Sequence, residues 1–363
     1  AAGPDTTPLR PPANTGRRRA LGALAGLGVV ALVAAGAIAL TGGGDDPATG
    51  GDTGGGNAGS AAGGGGDGGT TVRTADAGSF PVGVNLDEAA GRVVVASRDD
   101  GRVFAFDTGT GEQVAESTID GQADWAVPGL GAVWVVDMTQ NRLIGLDAET
   151  LDPTGATFPT GAYPRDAAVT SSLIWVINRE DDTMTKVDPA AGTAGPVAIG
   201  ANGGSYPRAI AFEEGRNRLW VSFRDSDTVE AFDAGTGASV AGPIPVGDAP
   251  HGLLVGTEFL WVASVDDDTV QRIALADPGG GAKPFASGFC DEPRDVAAGF
   301  DSIWIPCGKG GGQVAQLELS DGSEVEIFDV GGSPETAVVS RDPDHVWVGG
   351  GDGGKLIEIT PAD

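Results

Sequence analysis

Short apolar strands recur along most of this chain behind a fixed polar punctuation, and the recurrence itself predicts the elements. The segments AVWVVD (132–137), LIWVIN (173–178), RLWVSF (218–223), FLWVAS (259–264), SIWIPC (302–307) and HVWVGG (345–350) place Trp134, Trp175, Trp220, Trp261, Trp304 and Trp347 at spacings of 41, 45, 41, 43 and 43 residues. RVVVAS (92–97) fits the same slot one period earlier, with Val94 where the others have Trp. A period of about 40–45 residues is that of propeller blades.

Around each Trp strand the pattern repeats. A Pro-led segment such as YPRDAAV, YPRAIAF, APHGLLV or EPRDVAA comes about a dozen residues earlier. After the Trp strand come a polar turn (QN, DDT, SDT), an alternating strand ending in Asp (RVFAFD, RLIGLD, TVEAFD), and a DxxTG-like turn, clearest at Asp107–Gly111 and Asp233–Gly237. Asp accepts hydrogen bonds from the backbone that follows it, and Gly adopts positive φ there. A last strand leads into the next copy, so each repeat predicts four short antiparallel strands. The predicted fold class is all-β: a seven-bladed β-propeller over residues 70–363. The final copy stops after its third strand, KLIEIT (355–360), and TTVRTADAG (70–78) has the position and character to supply the fourth. The strand Trp residues read as core, because strands sandwiched between blades are apolar on both faces.

The first 69 residues follow a different pattern. Residues 1–19 are polar and carry Arg10, Arg17, Arg18 and Arg19, and the run ALGALAGLGVVALVAAGAIAL that follows has no charge. That run, taken as residues 20–41, predicts a transmembrane helix, long enough for a ~30 Å hydrocarbon layer. The preceding arginines orient it with a cytoplasmic N-terminus and an extracytoplasmic propeller. A cleaved signal peptide, giving a secreted protein, is the competing reading. Residues 42–69 are Gly-rich and read as a flexible tether. The chain begins with Ala1, which suggests a longer protein with a preceding cytoplasmic domain.

Charge narrows the partners. The chain has 22 Lys plus Arg and 51 Asp plus Glu, of which only the four arginines and Asp5 precede residue 42. The remainder is strongly acidic, which argues against nucleic acid as a partner.

The Pro-x-x-apolar, (L/I)WV, (D/N)xTV, (F/V)D and TG pattern resembles the YVTN/NHL-type propellers and the virginiamycin B lyase-like superfamily across residues 70–363. The order Arg cluster, apolar helix, tether and propeller also resembles the C-terminal half of actinobacterial receptor Ser/Thr kinases, which implies an external sensor. No kinase motif is present.

The residue after the repeat Pro falls where the innermost strand enters the channel mouth. Aligned on the Trp strand, this position holds Val82, Asp124, Arg165, Arg208, His251, Arg294 and Glu335. Three Arg and one His in consecutive blades of an acidic protein predict a site for an anionic small molecule, a glycan or a protein ligand, with Arg supplying bidentate geometry. The competing reading is that Asp124, Asp166, Asp295 and Glu335 neutralise them. Trp125, outside the repeat series and beside Asp124, is a candidate ligand contact. The lyase-like resemblance implies a His/Glu set with a divalent metal. Here His251 has no matching His in the following blade, and His345 lies on a second strand, so no catalytic pair, cofactor or metal set is assigned. Acidic turns such as Asp266-Asp267-Asp268 lack spaced calcium-ligand order and read as solvated hairpin tips. Cys290 and Cys307 flank two consecutive strands whose ends a hairpin brings together, which predicts a disulfide.

Three functions follow: an external sensor or ligand-binding module, a lyase-like or quinoprotein-like enzyme, and a protein-interaction scaffold.

Overall fold

The computed structural model describes residues 70–362, so the predicted segments 1–19, 20–41 and 42–69 lie outside the described residues. Among the described residues no helix is long and apolar enough to cross a membrane. Seven antiparallel sheets of four strands follow one another along the chain, as the repeat predicts. Counted from the channel outward, the first blade is Pro81–Asp87, Arg92–Ser97, Arg102–Asp107 and Gln113–Thr118. The inner strands of the others are Ala123–Gly129, Pro164–Val169, Pro207–Glu213, Pro250–Val255, Ala297–Gly299 and Thr336–Arg341. The outermost strand of the seventh blade is Thr71–Asp76, paired antiparallel with Lys355–Thr360 from Thr71 opposite Thr360 to Asp76 opposite Lys355.

The core is divided by the blades. Seven buried apolar clusters occupy the seven interfaces between neighbouring blades, the last joining Trp347 and Leu356 of the seventh to Val84, Phe104 and Phe106 of the first. Each of the six repeat Trp residues belongs to one of these clusters and is at least 96% buried. Where the indole N–H is buried it is satisfied, by the Gly129 carbonyl for Trp134 (2.9 Å), the Ala234 carbonyl for Trp175 (2.9 Å) and the Glu213 carboxylate for Trp220 (2.9 Å). A flat, rigid indole fills the wedge between two twisted sheets, and its single donor needs only one partner.

The polar turns have a second use that the sequence did not disclose. Asn141, Asp182, Asp227 and Asp268 sit at hairpin tips with φ of 50–54°. Each side chain accepts the backbone N–H of the residue before the repeat Pro in the next blade: Tyr163 (3.0 Å), Tyr206 (2.7 Å), Ala249 (2.9 Å) and Glu292 (2.8 Å). Those four residues also have positive φ, 55–61°. That conformation is strained for a non-Gly residue and costs on the order of 1 kcal/mol or more. These Asn and Asp side chains therefore latch four successive blade pairs while holding the chain in the bend that aims the following residue into the channel.

Cys290 and Cys307 are joined, and the bond pins the Gly288–Glu292 loop to the second strand of the sixth blade, where Pro293 bridges to Cys307. Closing a loop of this size constrains the unfolded chain by about 3 kcal/mol in the chain-entropy picture.

Candidate functional site

A one-residue bulge at the start of the inner strands builds the mouth of the channel. In the third blade Pro164 lies opposite Asn178 and Asp166 opposite Ile177, so Arg165 has no partner in the ladder. The same slip occurs at Val82, Asp124 and Arg208, and within the His251-Gly252 pair. A bulge re-aims the extra side chain out of the alternating pattern, and here it turns the residue after the repeat Pro toward the axis.

The structure separates the predicted residues into paired and unpaired groups. Asp124, 1% exposed, accepts from Arg165 Nη1 at 2.9 Å and also from Arg98 Nε. Arg294 pairs with Glu335 through Nη1 and with Glu292 through Nη2 at 3.1 Å. Arg165 and Arg294 are thus engaged by the nearby Asp124 and Glu335 carboxylates, the partners that the competing reading gives them. Arg208 differs. Its Nε donates to His251 Nε2 at 2.8 Å, the residue lines the channel cavity, and its terminal nitrogens have no hydrogen-bond or ion-pair partner among the described residues. Burial, followed by the neighbouring Arg165 charge, lowers the Arg208 pKa to about 9, which leaves it protonated at neutral pH.

His251 is fixed in one tautomer. Nδ1 donates to the Arg294 carbonyl at 2.7 Å while Nε2 accepts from Arg208. Burial, with the adjacent Arg208 charge, holds its pKa well below the usual value, so the ring is neutral. With both nitrogens occupied and Glu335 tied to Arg294, the mouth does not fit the divalent metal that the lyase-like resemblance implies. No group of three potential metal ligands occurs among the described residues. His345 lies elsewhere, against Trp347 and the Thr108 carbonyl (3.1 Å) at the interface between the seventh and first blades.

Asp166 and Asp295, which the competing reading sets against the arginines, accept bonds from backbone and act on Arg208 only through space. One residue beyond the mouth position, Asp166 accepts from Ile210 N (3.0 Å) and Asp295 from Ala337 N (3.1 Å), each across to another inner strand. Thr336 makes the equivalent link to Val84 N (3.2 Å). Asp166 is buried and Asp295 half-buried, and loss of solvent around each raises its pKa to about 7, the backbone bonds only partly opposing it. A carboxyl whose folded pKa lies above its unfolded value stabilises the fold fully below the unfolded pKa, and that contribution is lost as pH rises through the folded one. The melting temperature should therefore decline between pH 5 and pH 8 by an amount that the Asp166→Asn/Asp295→Asn variant lacks. Parallel pH profiles for variant and parent would contradict this.

The sequence reading missed an outer tier. Arg98, Arg179 and Arg224 each directly follow the second strand of their blade, a shared position that was the available signal. Arg179 lies between the rings of Tyr163 (4.3 Å) and Tyr206 (4.4 Å), the two tyrosines of the chain, and Arg98 lies over Phe80 (4.9 Å). Trp125 lines the channel as expected of a possible ligand contact, its indole filling the space a Cβ on Gly83 would need.

The channel holds a cavity of about 300 Å³ lined from all seven blades.

No family model and no curated protein matches the sequence. Among solved structures, the chain is similar to a streptogramin B lyase (TM-score 0.68, 19% identity, 80% of this chain and 97% of that one). It is also similar to virginiamycin B lyase from Staphylococcus aureus (0.64, 16%, 80% and 99%) and to Kuenenia stuttgartiensis hydrazine synthase (0.68, 11%, 78% and 96%). At these identities the likeness is one of fold alone: a seven-bladed β-propeller.

Proposed function

We propose that this propeller is a ligand-binding module whose channel takes a small anion on Arg208. The observation that carries the reading is an Arg208 guanidinium with no ion pair among the described residues. Arg98 and Arg165 share Asp124, and Arg294 has Glu335 and Glu292, whereas Arg208, beside the 300 Å³ cavity, feels Asp166 and Asp295 only through space. Two parallel N–H groups from one guanidinium match the two oxygens of a carboxylate or phosphate. The apolar run 20–41 and the Gly-rich stretch after it support presentation of this module outside a membrane, the arrangement of a sensor.

An enzyme reading draws on the fold of the lyases; at the mouth the neutral His251 has both nitrogens engaged, and the near-neutral carboxyls of Asp166 and Asp295 accept backbone N–H bonds. The test is titration calorimetry of the full chain with benzoate, phosphate and sulfate, alongside Arg208→Gln. At least one anion should bind, and the variant should bind it at least about tenfold more weakly, in line with a hydrogen bond to a charged group. Equal affinity in the variant, or no binding by any of the three, would sink the proposal.

A further inference from the structure

The channel changes character at one level along its axis. The cavity lining one or two residues past the repeat Pro is polar or charged, as at Arg208, His251, Arg294, Asp166 and Asp295. One to three residues further along the same strands it is apolar, as at Ile210, Phe212, Leu253, Leu254, Val296 and Val338. At about 3.3 Å per residue, Phe212 lies roughly 13 Å along the strand from Arg208. Phe212, Leu254 and Val338 are only partly buried, and the surface they leave open belongs to the cavity. Asn85 is the polar exception at this depth, and its Nδ2 is spent on the Ala126 carbonyl at 3.0 Å.

A simple hydrated anion would use the Arg208 end and leave this apolar wall wet, which is unfavourable for a concave apolar surface. A ligand with an apolar body would displace that water. We propose, resting on the reading that Arg208 holds the anionic head, that the ligand is a carboxylate with a single aromatic or branched apolar body, head at Arg208 and body against Phe212, Leu254 and Val338. The cavity is at the small end of ligand pockets, which suits one ring and not a polycyclic or polymeric ligand. Trp125, on the wall at the level of the charged groups, offers an indole face to the linking atoms.

The experiment compares acetate, phenylacetate and neutral phenylacetamide on the full chain, the Phe212→Ala variant and the Val338→Phe variant, which fills the apolar end without opening a void. Phenylacetate should bind at least tenfold more tightly than acetate and than phenylacetamide. Val338→Phe should remove the preference for phenylacetate over acetate, and Phe212→Ala should reduce that preference. Equal binding of acetate and phenylacetate by the parent chain would overturn the apolar-body proposal and leave the anion reading intact. Phenylacetamide binding as tightly as phenylacetate would overturn the carboxylate head; silence from every compound here would overturn this proposal, and only silence from phosphate and sulfate as well would remove the anion reading with it.

Discussion

A chain from which Thr71–Asp76 has been deleted is expected to lose the cooperative fold and to associate. This strand is mostly exposed, so its side chains bury little. Its contribution is the six-pair ladder to Lys355–Thr360, with Asp76 held by Lys355 and Ala77 N bonded to the Gly354 carbonyl at 3.0 Å. At about 1 kcal/mol net per backbone bond, the ladder stabilises the ring by several kcal/mol. Deletion also strips the edge of a strand whose Leu356, Ile357 and Ile359 belong to the core. An unpaired, flat, apolar edge templates intermolecular pairing. Light scattering during a thermal ramp would read both effects, and a monomeric deletion variant with an unchanged midpoint would refute the argument.

Glu213→Ala is expected to cost about 3–5 kcal/mol, the cost of removing one partner of a buried ion pair. Glu213 is 3% exposed at the far end of the fourth blade's inner strand from the mouth. Its Oε1 accepts from Arg216 Nη1 (2.6 Å) and Arg218 Nη2 (3.1 Å), and its Oε2 from Arg218 Nε (3.0 Å) and the Trp220 indole (2.9 Å). Burial alone would raise its pKa, but the bonds from Arg218, Trp220 and Arg216 outweigh it and hold the carboxyl below its ordinary value. A depressed carboxyl contributes stability above its unfolded pKa that is lost as pH falls through the folded value. The deficit of the Ala variant should therefore be full at pH 7 and shrink in strong acid. Urea denaturation should show a lower midpoint at unchanged slope, and a loss under about 1 kcal/mol at pH 7 would count against the account.

The blade count and the four-strand repeat were legible because core packing between blades imposes the same demand seven times, so Trp134 to Trp347 repeat visibly. The mouth position was legible for the same reason: Arg165, Arg208, His251 and Arg294 share one offset from a Pro. What each of them bonds to was not. The Arg165–Asp124 pair spans 41 residues and the Arg294–Glu335 pair likewise 41, one blade apart in each case. Only the bulge geometry decides which neighbour is reached. The backbone bonds of Asp166 and Asp295 were not legible, because a carboxyl near arginines suggests an ion pair, whereas the inner strands also present unpaired backbone N–H groups that must be satisfied. The latch by Asp268 falls in a turn that reads as a solvated tip, since nothing local in the sequence shows that a turn faces a strained residue in the next blade.

The closing pair also fixes how the ring answers a pull. Thr71 and Thr360 are opposite each other at one end of the antiparallel pair, and Ala362 N bonds to Thr70 Oγ1 at 3.2 Å just beyond them. Tension applied between the two ends of the domain loads that first pair alone, then the next, so the seam opens as a zipper at low force. The same tension applied between residue 70 and a distant blade would load all the bonds of the seam together, in shear.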